Sequence, residues 1–146
     1  MRNDYYEFQN AIYPISLMVA WGRDDKWSSD DFDDIELKGD AATTYFCKHK
    51  PTDNMCVLIR FYDKRVMADY GTVSHESFHA AMFMLDYVGS GISVDYQEHA
   101  AYLAGWVANC INRVRKGDLE PLKLQETHNQ LKYIVSAVPH RETVMS

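Results

Sequence analysis

Two histidines four residues apart, with a glutamate directly after the first, stand inside the stretch VSHESFHAAM, residues 73–82. From Thr72 to Tyr87 there is no glycine or proline and helix formers dominate, so this segment is predicted to be a helix that Gly89 and Gly91 end. On a helix, positions i and i+4 lie on one face, ~6 Å apart along the axis. The imidazoles of His75 and His79 can then converge on one Zn²⁺ at ~2.0–2.1 Å. Glu76 is turned by about 100° from His75, poorly placed as a ligand but able to reach a water on the open side of the metal. Zinc brings the pKa of such a water to about 7, and a carboxylate takes the proton as the water attacks. With six histidines and seven glutamates in 146 residues, the pattern arises by chance roughly 0.01 times per chain. The competing reading is a helix whose two histidines are satisfied by hydrogen bonds in the core.

A catalytic zinc usually takes a third protein ligand. Asp86, Asp95, Glu98 and His99 follow the pair. Asp86 shares a face with His79 but stands ~10 Å further along the axis, and can coordinate only if the helix breaks early. Glu98 lies across a glycine-bearing turn, where a second antiparallel helix would bring it back beside the pair. Ala101, Gly105 and Ala108 lie near its face, and Ala80 and Ala81 follow His79, which suits close helix contact. Asp95 and Glu98 also have the spacing of a capping box, in which Glu98 would satisfy a backbone N–H instead.

The rest of the chain predicts an α+β domain. IYPISLMVAWG, residues 12–22, reads as a buried strand ended by Gly22. Residues 23–40 are acidic and turn-rich, with one short helix expected from Ser29. They lack the glycine and glutamate positions of an EF-hand, so a solvated loop is expected. AATTYFCKH (41–49) and NMCVLIRFY (54–62) flank the turn cluster KPTDN and predict a hairpin. A second helix is expected over 95–116, apolar nearly all round and therefore buried, with a basic last turn that suits its C-terminus. After Gly117 the tail reads equally as a helix from Pro121 to Val135 or as a strand over 133–138.

At 146 residues the chain suits one domain, and 47% apolar content allows a core. A net charge of −6 argues against sequence-independent nucleic-acid binding and against an anionic membrane surface. The N-terminus shows no secretory signal, and the longest apolar run, ISLMVAWG, is too short to span a bilayer. Cys47, Cys56 and Cys110 are an odd number, which suits free thiols in a reducing cytoplasm. Oligomeric state is left open.

HExxH followed by a glutamate on the next helix resembles the gluzincin arrangement of zincin metallopeptidases. IYPISLMVAWG, the hairpin, SHESFHAA and EHAAYLAGW together resemble short zincin-like proteins encoded by tailed phages, over about residues 12–112. The resemblance implies a minimal zincin-like fold, with a small sheet and hairpin packed on the HExxH helix. A buried second helix would carry the third ligand. Chain length gives a single domain over 1–146, with a core over 12–116 and an extension over 117–146. The resemblance implies one zinc per chain on His75, His79 and Glu98, Glu76 as general base, and hydrolysis of a peptide bond in a peptide or protein. In such folds a strand beside the site pairs with extended substrate, and Val57–Phe61, just before the helix, is expected in that role. Tyr102, four residues after Glu98, is the candidate for stabilising an oxyanion, against a role as a core tyrosine. The longer Asn-Glu signature of thermolysin-like enzymes is missing, and residues 117–146 lie outside the resemblance. The alternative is a non-catalytic binding module or virion component with structural zinc or none. A structural site tends to close its fourth position, for which His99 and Cys110 are available, and needs no base at Glu76.

Overall fold

The computed structural model describes residues 5–10, 12–22, 30–33, 35–36 and 41–117. Five strands, β1 (Tyr5–Gln9), β2 (Ser16–Trp21), β3 (Phe32–Asp33), β4 (Ala42–His49) and β5 (Asn54–Phe61), form one mixed sheet in the order β1-β2-β5-β4-β3. A 3-10 turn, Lys64–Ala68, leads into α1 (Tyr70–Tyr87), and α2 (Glu98–Lys116) follows. The fold class is α+β, as expected.

The centre of the sheet explains why two of its strands read as continuous apolar runs. β2 and β5 pair in parallel, from Ser16↔Cys56 to Trp21↔Phe61, and both are covered on both faces. Leu17, Val19, Val57, Ile59 and Phe61 point to the core shared with Ala80, Ala81, Met84 and Leu85 of α1 and with Leu103, Val107 and Ile111 of α2. Met18, Ala20, Cys56 and Leu58 point the other way, into a smaller cluster with Phe32 and Cys47. That second face is closed by a polar chain. The Tyr5 hydroxyl donates to Asp31 Oδ2 at 2.8 Å and lies 2.8 Å from His49 Nε2, while His49 Nδ1 lies 2.8 Å from Thr52 Oγ1. Because the Tyr5 proton goes to Asp31, the phenol oxygen accepts from His49 Nε2–H, which leaves Nδ1 to accept from Thr52. Burial, and then the bond to Asp31, push the Tyr5 hydroxyl well above its ordinary pKa.

The predicted hairpin forms as β4 and β5, in register from Ala42↔Phe61 to His49↔Asn54. Asp53 takes a left-handed conformation, φ 59°, in its turn. The strand expected over 12–22 is confined to Ser16–Trp21; Tyr13 and Ile15 are buried, but Pro14 between them has no N–H for a ladder. β1 was not anticipated. It is a half-exposed strand, antiparallel to β2, whose alternate polar residues conceal it in sequence.

Helix α1 begins at Tyr70, two residues before its expected start, because Asp69 caps it. Asp69 Oδ2 accepts from the Thr72 backbone N–H at 2.9 Å and from the Thr72 hydroxyl at 2.6 Å. Helix α2 begins at Glu98 and ends at Gly117 in a left-handed cap, φ 72°. The expectation that α2 is buried all round is corrected. Leu103, Trp106, Val107, Cys110, Ile111 and Val114 face the core, while Glu98, Ala101, Tyr102, Gly105 and Asn109 are exposed. Its sequence holds small and aromatic residues on the outer face, which raises apolar content without signalling burial. No described helix is long and apolar enough to cross a membrane. The short helix from Ser29, most of the 23–40 loop and both readings of the tail lie wholly or largely outside the described residues.

Candidate metal centre

An unbroken helix from Tyr70 to Tyr87 does what the spacing requires. His75 and His79 lie on its outer face, both exposed, with Nε2 atoms 3.1 Å apart and rings meeting edge-on at 78°. Two nitrogens at that separation, each ~2.0–2.1 Å from a common zinc, subtend about 95–102° at the metal, close to tetrahedral. The same distance also fits one imidazole N–H donating to the other, so the pair can be held together by a proton where no metal is bound. The core-histidine alternative does not describe these side chains, since neither is buried.

Glu76 sits differently from the two histidines. Its side chain is buried, 5% exposed, where α1 meets the sheet, whereas both histidines are exposed. Its Oε2 accepts a 2.8 Å hydrogen bond from the hydroxyl of Thr44 on β4. The carboxylate is thus held against β4 through Oε2. Thr44 was not singled out from sequence. Its signal is the alternation along β4, where Ala42, Thr44 and Phe46 face the helices while Tyr45 and Cys47 face the second cluster.

The strand beside the site is therefore β4, and the assignment of that role to Val57–Phe61 is corrected. Those residues belong to β5, which is paired with β2 on one side and β4 on the other and has no edge to offer. Among the described residues, β3 pairs with β4 at Phe32↔His49 and Asp33↔Lys48.

The third donor is not gathered beside the histidines. Among the described residues, no group of three or more His, Cys, Asp or Glu side chains surrounds one point. Glu98 is the first residue of α2 and exposed. The capping-box alternative is not formed, because Gln97 is the cap residue and makes no side-chain cap bond. No hydrogen bond or ion pair engages the Glu98 carboxylate among the described residues. Nor does its stripe face α1: a side chain at Gly105 would meet nothing within 4 Å. The start of α2 is tied to the end of α1 by His99, which is buried with Nε2 3.2 Å from Ser90 Oγ. Cys110 is buried in the main core, where burial pushes its thiol pKa up. Neither His99 nor Cys110 stands with the pair to close a structural site. Asp86 is exposed near the end of an intact helix, as its spacing required. Tyr102 lies on the outward stripe of α2, 40% exposed.

A cavity of about 500 Å³ opens at the first turn of α1, lined by Met67, Tyr70, Val73, Asn109, Asn112 and Arg115 among others. Neither histidine lines it. No family model, curated protein or solved structure matches this chain.

Proposed function

We propose that the chain is a zinc-dependent hydrolase acting on a peptide bond. The observation that carries this reading is the pair of Nε2 atoms 3.1 Å apart with the anchored carboxylate of Glu76 on the same helix. His75 and His79 hold the metal through neutral imidazole nitrogens, and Glu98 completes the protein ligands. Glu98 begins α2 with its carboxylate unengaged among the described residues, so its ligation requires the first turn of α2 or the side chain itself to swing toward the pair. Bound there, zinc supplies Lewis-acid polarisation of the scissile carbonyl and acidifies a water.

The remaining work falls to residues of this chain. Glu76 takes a proton through Oε1 while Thr44 holds Oε2, so the base does not rotate away during transfer. After transfer, the same carboxyl delivers the proton to the leaving amine. The substrate is a peptide or protein chain, taken along β4 and not along β5.

The test is Glu76→Gln, which preserves size and removes the base. The variant is expected to keep zinc and to lose peptide cleavage by ~10²-fold or more, the scale of a lost general base. Cleavage as fast as wild type would defeat the mechanism. Loss of zinc in Glu76→Gln would move Glu76 into the ligand set. A wild-type chain that binds zinc but cleaves nothing in a broad peptide library would favour the binding-module reading.

A further inference from the structure

The ridge that carries the histidines does not stop at them. His75, His79, Phe83 and Tyr87 follow one another in steps of four along α1, so Phe83 lies one turn beyond His79 and Tyr87 one turn beyond that. On β4, Phe46 is two residues after Thr44 and therefore on the same face. The Phe46 ring stacks on Phe83, with centroids 5.9 Å apart and planes at 19°, and meets Tyr87 at 5.9 Å. Phe46 is 39% and Tyr87 46% exposed. An aromatic shelf thus bridges helix and strand beside the histidines, and leaves much of its surface open to water. Contiguous exposed apolar surface of this kind marks a place where something binds.

We propose that Phe46, Phe83 and Tyr87 form a side-chain subsite that selects an aromatic or large aliphatic residue of the peptide substrate. This rests on the peptidase reading and specifies its substrate. Continuity with the candidate centre argues for a substrate side chain as the occupant. The strand that fixes Glu76 through Thr44 fixes the shelf through Phe46, one same-face step of ~6.6–6.8 Å later. One helical turn, ~6 Å, separates Phe83 from His79. Both intervals match the spacing of side chains on one face of an extended peptide. A peptide bond held at the histidines therefore has a neighbouring side chain within reach of the stacked rings. Offset and edge-on contact with those rings favours Phe, Tyr, Trp or Leu over Ala there.

The test uses the full chain, zinc-loaded, with peptides that differ at a single position by Ala, Leu or Phe. Wild type is expected to favour Phe and Leu over Ala by about tenfold or more in kcat/KM. Phe83→Ala and Tyr87→Ala are expected to compress that ratio toward one while zinc content and circular dichroism stay as in wild type. Tyr87 is half exposed, so its variant is the safer for folding. Cleavage by wild type without preference overturns the subsite and leaves the peptidase reading standing. If wild type cleaves nothing, the peptidase reading fails. The shelf is then judged by titrating N-acetylphenylalanine amide and following the Phe46, Phe83 and Tyr87 ring resonances. Shifts that disappear in Tyr87→Ala uphold the subsite, and unmoved rings overturn it. A concentration-dependent dimer dispersed by Tyr87→Ala also overturns it, by giving the shelf to a second copy of the chain.

Discussion

At the scale of single residues, Glu76 shows how a buried carboxylate on a helix is held by a neighbouring strand. A buried carboxylate is costly unless it is hydrogen-bonded, and the Thr44 hydroxyl at 2.8 Å meets that need from a different element. Thr44→Val keeps the shape and removes the donor. It is expected to cost about 1–3 kcal/mol in urea unfolding, the scale for orphaning a buried acceptor. Zinc content should stay unchanged and peptide cleavage should fall; full cleavage in this variant would deny Thr44 a positioning role. Tyr5 does comparable structural work on the other face of the sheet, donating to Asp31 and accepting from His49. Tyr5→Phe is expected to destabilise by about 1–3 kcal/mol, because it strands two polar partners at once. A midpoint unchanged in denaturant would show that solvent satisfies both.

At the scale of elements, α1 and the hairpin were legible because their local signals agree with their tertiary setting. The helix has a glycine- and proline-free interior, and the hairpin has β-branched runs around KPTDN. The start of α1 was missed because Gly71 hides it, while Asp69 and Thr72 supply a cap that the reading did not weigh. Hydrogen bonds from Thr72 hold the Asp69 carboxyl below the ordinary value of 3.8. A depressed folded value means the cap is complete above 3.8 and is lost as pH falls through the folded value. Asp69→Ala is therefore expected to lower Tm at neutral pH, and the difference from wild type should vanish in strong acid. The face of α2 was not legible, because Ala101, Tyr102 and Gly105 look like packing residues and are exposed. That misreading bears directly on Glu98. If α2 swings its first turn to the metal, Glu98→Ala weakens zinc binding more than Asp86→Ala does; equal, small losses would place the third donor elsewhere.

At the scale of the whole molecule, the sheet order decides which strands are central, and sequence adjacency to α1 pointed to β5 as an open edge that it does not have. β5 leads into the 3-10 turn and α1, yet it runs through the middle of the sheet between β2 and β4. Pairing across long sequence separations carries no local signature, so the central place of β5 emerges only from the assembled fold. The same assembly brings Cys47 opposite Cys56 with sulfurs 3.8 Å apart, both buried and free. The Cys56 thiol is pushed up first by its hydrogen bond with Cys47 and then by burial, and the Cys110 thiol by burial. Native protein is expected to resist iodoacetamide at pH 8 and to yield three thiols per chain once unfolded. All the proposed chemistry depends on whether the exposed histidine pair on α1 takes a metal. The direct measurement is elemental analysis of untagged protein after reconstitution with zinc at neutral pH, beside His79→Ala. About one zinc per chain in wild type and almost none in the variant is the expected result for a site built on neutral imidazoles. No zinc in wild type, or equal zinc in both proteins, would contradict a metal centre at His75 and His79.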